Sequence, residues 1–185
     1  RETAAFTREL RADETAESIK QQPAIAATRE AYKRCGKDPS RYRPSAEALR
    51  RRLMRGLELY QIDTLVDLIN LVSLRTGYSI GGFDADKIQG DSLELGIGRA
   101  EEPFEGIGRG TLNIEGLPVY RDRAGGIGTP TSDNERTKMG LETRRILAIV
   151  NGYNGREGLA EAAGMIQELL RKYADSDGGT ILYFE

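Results

Sequence analysis

Histidine is absent from the 185 residues. No side chain therefore titrates near neutral pH of its own accord, which excludes Ser-His and Cys-His nucleophilic arrangements and the usual zinc hydrolase centres. Chemistry in this chain must rest on carboxylates, hydroxyls, backbone amides, Lys, Arg or a group on the substrate. Cysteine is nearly absent too. The single Cys35 removes any disulfide framework or cysteine metal cluster and reads as a partly buried small hydrophobe in a reducing cytoplasm. No run approaches the roughly 18 apolar residues of a membrane helix, and no signal-peptide pattern opens the chain, so a soluble cytoplasmic protein without membrane partners is expected. The chain opens on Arg1 without an initiator Met, which suggests that its natural start lies elsewhere.

The net charge of -2 is unevenly spread. Residues 29–55 hold 10 Lys and Arg against 3 Asp and Glu, and the remainder is acidic. Such a segment fits a polyanion contacted at one place or, equally, a solvated helix face. The length suits one domain with a sizeable core. Helix is favoured from Glu14 to Arg34, with Pro23 either interrupting it or opening a second helix. Ser45 is placed to N-cap a helix over Ala46–Arg55, on which Arg50, Arg51 and Arg52 cannot share one face. A third helix spans Asp63–Thr76. From Gly77 to Gly128 lie 13 of the 22 glycines, among short alternating apolar runs. Ser92–Ile97 alternates, Thr111–Ile114 and Val119–Arg121 flank Glu115-Gly116 as a hairpin, and Arg144–Val150 is a further strand. Helix returns over Arg156–Tyr173, and Thr180–Phe184 makes a last strand. This order of helices, strands, then helix and strand predicts an α+β fold: N-terminal helices packed on a mostly antiparallel, Gly-rich β core.

The densest motif is LVDLINLVSLRTGYSIGGFD, residues 65–84. Asp67 and Asn70 share one helix face while Leu65, Leu68, Ile69 and Val72 form the stripe that docks it. Gly77 reads as the C-cap, and Gly81 and Gly82 leave the following strand bare, which suits a bulge or something lying close to the backbone. Asp84 and Asp86 could pair on Mg²⁺, although Lys87 beside them makes a turn with an internal ion pair the simpler reading. GIGRA from Gly96 and GIGRG from Gly106 lack the GxGxxG and GxxxxGK[ST] spacings and read as turns. The segment Gly125–Thr137 crowds Thr129, Thr131, Ser132, Asp133, Glu135, Arg136 and Thr137 into one loop, suited to a polar ligand or simply capped by its own side chains.

Val66-Asp67, Asn70, and then Gly77 through Phe83-Asp84 resemble a segment of the bacterial phenylalanyl-tRNA synthetase beta subunit. There the chain reads Val-Asp-x-Thr-Asn-Tyr-Val-Met, then Gly-Gln-Pro-x-His-Ala-Phe-Asp. The resemblance covers about Arg29–Asn154 and includes the Arg43-Pro44-Ser45 helix start, Gly98–Gly110, Glu142-Thr143 and the strand from Arg144. It implies a freestanding relative of that subunit's editing domain, with residues 1–28 as a helical extension, 29–154 as the family core and 155–185 as the C-terminal helix and strand. The family captures the 3′ end of tRNA and hydrolyses noncognate aminoacyl esters. Counting back from Glu142-Thr143 puts the family's pocket glutamate on Glu135, the catalytic candidate. Asn70, Gly81, Gly82, Asp84, Thr129, Thr131, Ser132, Asp133 and Thr137 are expected around the substrate, and Arg41, Arg43, Arg50 and Arg51 on RNA phosphates. No cofactor, metal or DNA is implied. Gly81 stands where the family has His and Ser79 where it has Pro. That change could widen the pocket, alter the substrate or remove catalysis, leaving a module that binds RNA or an amino acid.

Overall fold

The computed structural model describes residues 7, 8, 10 and 14–184 of the chain. Residues 1–6, 9 and 11–13 of the expected helical extension lie outside the described residues. Thr15 caps α1, Ala16–Gln21, through a reciprocal box with Ser18. Gln22 caps α2, Pro23–Arg34, and the Pro23 ambiguity resolves as a first-turn proline. The Gln22 amide also donates to the Thr76 carbonyl at 2.8 Å, tying α2 to the end of a later helix.

The third helix, α3, spans Ser45–Met54, and Ser45 is not its cap: Pro44 holds that position and no side chain caps the helix. Its orphan amides are satisfied from other segments. Ser45 N–H donates to the Pro130 carbonyl at 2.8 Å and Ala46 N–H to the Ser79 hydroxyl at 3.3 Å. Helix α4, Thr64–Thr76, is capped by Asp63 and ends at Gly77, whose φ of 79° needs glycine as expected.

Strand β1, Ser79–Asp84, is buried throughout and pairs antiparallel with β7, Ile146–Asn151, setting Gly81 opposite Ile149 and Gly82 opposite Ala148. The central strand of a second sheet, β5 (Pro118–Asp122), lies between β2 (Glu94–Ile97) and β6 (Gly125–Gly128). A small hairpin joins β3, Glu105–Gly106, to β4, Gly110–Thr111. Helix α5, Leu159–Ala174, starts three residues later than the pattern predicts because Gly158 precedes it at φ 81°, outside helical space. The architecture is α+β, as expected.

The hairpin expected about Glu115-Gly116 does not form. Gly116 N–H and the Leu117 carbonyl pair with Gly98 instead, while both edges of β5 are taken by β2 and β6. Nor does Thr180–Phe184 form a strand: no described strand pairs with it, and Leu182 and Phe184 are 69% and 88% exposed.

The main core joins Ile69, Leu71 and Val72 of α4 to Ile80 of β1 and to Ala162, Ile166, Leu169 and Leu170 of α5. A second cluster sets Tyr32 of α2 against Phe104, Ile114, Leu117 and Val119. Much of the basic segment 29–55 holds these layers together. Glu47 is fully buried and receives Arg29 at 2.8 Å and Arg51 at 2.7 Å. Arg50, also buried, pairs with Glu14 and donates to the Leu74 carbonyl at 2.5 Å. Lys37 donates to the Asn113 and Glu115 carbonyls and lies over the Tyr42 ring. Removing one partner of a buried ion pair strands the other charge at a cost of about 3–5 kcal/mol. Glu47→Ala should therefore lower the urea midpoint by that equivalent, whereas Glu30→Ala, which breaks only exposed pairs with Lys33 and Arg34, should barely move it.

Candidate functional site

The two faces of β1 show why it carries adjacent glycines. A Cβ at Gly82 would lie 2.6 Å from Met139 Cε and 2.7 Å from Ile69 Cδ1, so this face is bare because α4 and Met139 pack onto it. On the opposite face a Cβ at Gly81 would lie 2.7 Å from Phe83 Cζ and 3.1 Å from Asp133 Oδ1. Across from it, a Cβ at Gly128 of β6 would meet Phe83 Cζ at 2.5 Å and Asp133 Oδ1 at 2.8 Å. The Asp133 carboxylate thus occupies a slot between two bare strands, and its Oδ2 accepts the Gly82 N–H at 3.1 Å.

The loop that delivers Asp133 is tightly tied. Thr129 Oγ1 accepts from the Thr131 and Ser132 amides and donates to the Ser132 carbonyl at 3.0 Å. Thr131 Oγ1 bonds Tyr32 OH at 2.8 Å and donates to the Tyr42 carbonyl at 3.2 Å. Asn134 donates through its backbone to Ile127 and through its side chain to Gly126. The alternative of a loop capped by its own side chains therefore describes Thr129 and Thr131, whose hydroxyls are spent internally. Thr137 is fully buried, and its hydroxyl has no partner among the described residues. Ser132 and Asp133 remain half-buried, and Ser132 Oγ has no hydrogen bond among the described residues.

Asp133 differs from the other withdrawn carboxylates. Asp122 takes both nitrogens of the Arg136 fork, at 2.8 and 2.9 Å. Asp84 accepts from Thr143 at 2.9 Å and lies 3.5 Å from Lys87. Burial opposes the Asp84 charge, but Thr143, the Asp86 amide and Lys87 outweigh it and hold the carboxyl below its ordinary range. Asp84 thus has the internal ion pair that the sequence suggested, while Asp86 turns to Arg145 at 2.9 Å. Among the described residues no group of three or more His, Cys, Asp or Glu is placed to hold a metal ion. Among the described residues Asp133 has no cation partner. Desolvation pushes its pKa up to about 7, opposed only by the Gly82 amide.

The other candidates scatter. Glu135 turns away from Asp133 to Lys138 at 2.5 Å and accepts the Gly108 N–H at 3.1 Å, and these two bonds hold its carboxyl below the ordinary range. It flanks the β3–β4 turn and does not enter the slot. Asp67 accepts the Ile62 N–H at 3.1 Å, and Asn70 is half-buried with no side-chain hydrogen bond among the described residues. Arg41 and Arg43 are exposed, whereas Arg50 is buried against Glu14 and the Leu74 carbonyl and the largely enclosed Arg51 is paired with Glu47. Two open clefts of about 360 and 490 Å³ flank residues 88–93 and include neither Gly81 nor Asp133 in their linings.

Sequence reasoning missed a polar set beside the slot. Tyr120 OH donates to Asn151 at 3.1 Å, Asn151 donates to the Ser79 carbonyl at 2.9 Å, and the buried Tyr153 hydroxyl has no partner. Burial, then the neighbouring Tyr120 and Tyr32, push the Tyr153 phenol well above its ordinary pKa. These tyrosines are far apart in sequence, and only the pairing of Tyr120 with Gly128 and of Asn151 with Ser79 points to their convergence.

With this geometry in place, comparison with family profiles decides the relationship: the B3/4 domain model matches residues 27–171. The chain belongs to the B3/4 domain family. This is the domain found in the phenylalanyl-tRNA synthetase beta subunit. The match runs through most of α5, beyond the Asn154 limit of the motif resemblance. A search of curated proteins finds no match.

Two outcomes follow from the B3/4 slot. The Asp133 pKa is higher folded than unfolded, so the folded chain holds more protons between about pH 4 and 7 and loses stability as pH rises through that window. Asp133→Asn should abolish this loss, which amounts to about 2.7 kcal/mol between pH 5 and pH 8 in urea melts of the wild type. Thr137→Val should be neutral or stabilising by about 1 kcal/mol, because it removes an unpaired buried hydroxyl at nearly constant volume.

Proposed function

We propose that this B3/4 domain receives the aminoacylated 3′ end of a tRNA and hydrolyses a wrongly attached amino acid in trans. The single observation that carries the reading is the slot itself: in a domain of a tRNA-synthetase family, a half-buried carboxylate without a cation stands over the bare backbone of Gly81 and Gly128. Ser132 and Asp133 contact the aminoacyl group in this reading, and Glu135 stands beside the β3–β4 turn. Water adds to the ester carbonyl, the bond to the ribose oxygen breaks, and the leaving oxygen takes up a proton. The neighbouring ribose hydroxyl on the substrate assists that attack, so no histidine is required.

One observation favours a second reading, binding without hydrolysis. Gly81 leaves the position where the family has His without a side chain, and Arg50 and Arg51 are committed to the fold. Release of tyrosine from Tyr-tRNA(Phe), with Phe-tRNA(Phe) as control, separates the two. Selective release supports the deacylase; retention on a filter without release supports the binding module; neither result would defeat both. With Arg41 and Arg43 as the phosphate contacts, the slope of log K against log salt should be about -1.4, against about -2.8 if all four arginines took part.

A further inference from the structure

The dipeptide Asn-Gly occurs twice in close succession, at Asn151-Gly152 and at Asn154-Gly155. Asparagine before glycine is prone to react with itself. Without a Cβ the glycine lets its main-chain nitrogen swing against the Asn Cγ, and the ring closure replaces an encounter by a rotation. The fold treats the two pairs in opposite ways. Asn151 ends β7, is 3% exposed, and has both ends of its amide engaged: Nδ2 donates to the Ser79 carbonyl at 2.9 Å and Oδ1 accepts from Tyr120 at 3.1 Å. The glycine after it is packed as well, since a Cβ on Gly152 would lie 2.7 Å from Leu159 Cδ2. Asn154, by contrast, is exposed in the link between β7 and α5. Its Oδ1 lies 3.3 Å from the Tyr78 hydroxyl, whose one proton is shared with the Glu157 carbonyl, and its Nδ2 has no hydrogen bond among the described residues. Gly155 has nothing within 4 Å of where a Cβ would stand, and its φ of 78° suits glycine.

We propose that Asn154 is a site of self-modification, at which the folded chain deamidates and acquires an isoaspartyl link, while the fold protects Asn151. The Gly155 nitrogen gives its proton to water or hydroxide and attacks Cγ of Asn154. The new C–N bond closes a succinimide, the Cγ–Nδ2 bond breaks, and Nδ2 takes up a proton and leaves as ammonia. Water then opens the ring at either carbonyl. Opening at one gives Asp at position 154; opening at the other leaves the main chain running through the former side-chain carbonyl, as isoaspartate. The net change is amide plus water to carboxylate plus ammonium, and no oxidant or cofactor takes part. The product adds one negative charge to the link, and the isoaspartyl form lengthens its main chain by one methylene. Both changes fall beside the Tyr78 hydroxyl, through which this link is tied to the main core. Protection at Asn151 has a physical measure: reaction there requires the end of β7 to open, so its rate is reduced by the small population of that open state. Because the attacking nitrogen must lose a proton, the reaction at Asn154 accelerates as pH rises.

Trypsin cuts after Arg145 and Arg156, so one peptide, residues 146–156, carries both Asn-Gly pairs and each serves as the other's control. The full chain is incubated at pH 8 in native buffer and, in parallel, in denaturing guanidinium chloride. Samples taken over time, with an unincubated control, are digested at mildly acidic pH. Fragment masses assign the amide-to-acid gain to one residue or the other, and electron-transfer fragmentation separates isoaspartate from aspartate. In the folded chain Asn154 should be converted roughly tenfold or more faster than Asn151, with isoaspartate among the products. In denaturant the two rates should converge to within about threefold, because the strand that shields Asn151 is gone. Asn154→Gln should remove the early gain in the folded chain and leave Asn151 as slow as before. Equal conversion of both residues in the folded chain, Asn151 ahead of Asn154, or an Asn154 that reacts only in denaturant would each overturn the proposal. So would a preference for Asn154 that persists in denaturant, since local sequence and not the fold would then set it. If Asn154→Gln fails to fold, the contrast between folded and denatured wild type still decides.

Discussion

The contact on which the site depends is the bond from Gly82 N–H to Asp133 Oδ2. It joins the β1–β7 sheet to the loop after β6, and it exists because Gly81 and Gly128 have no Cβ atoms to fill the space the carboxylate takes. A larger residue at either position would collide with Phe83, whose buried ring forms the floor of the slot. Loop 129–134 then holds the aspartate through its own turn and through bonds to Tyr32, Tyr42 and Ser45. The strained electrostatics of Asp133 and the rigidity of its support belong together: a withdrawn carboxylate stays withdrawn only when its backbone has no freedom to carry it to water.

The same frame explains where the basic charge went. Glu47 in α3 gathers Arg29 from α2 and Arg51 from its own helix, and Arg50 reaches back to Glu14 and forward to the end of α4. These ion pairs lock α2, α3 and α4 in register, and the first amides of α3 in turn donate to the Pro130 carbonyl and the Ser79 hydroxyl, which border the slot. The basic segment therefore acts on the site chiefly through structure, by holding the helices against β1, while its exposed cations, Lys33, Arg34, Arg41, Arg43 and Arg55, face solvent.

Local signals were legible where a residue's role is set by its own backbone. Gly77 as a C-cap, Asp63 at the start of α4, Pro23 in a first turn and β1 as a bare strand all follow from conformational preference and periodicity. The errors have a common origin. Ser45 has the right chemistry for a cap, but Pro130 and Ser79 supply the bonds first. The Glu115-Gly116 hairpin has the right turn residues, but Gly98 and the neighbours of β5 take the partners. Thr180–Phe184 has strand composition and no described strand beside it. In each case a distant segment decides where a backbone group is satisfied, and no local window contains that segment.

By itself the sequence determined the fold class, most helix positions, the removal of histidine chemistry, and the motifs over about Arg29–Asn154 whose order pointed to the synthetase beta-subunit domain, whose B3/4 family matches residues 27–171. These follow from composition and from contacts within a few residues. Tertiary structure alone decided that Asp133 and not Glu135 enters the slot, although the two are neighbours on one loop, and that Arg50 and Arg51 are spent inside. A side chain's charge is written in the sequence, but whether that charge meets a partner, water or nothing depends on which strands and helices are packed around it.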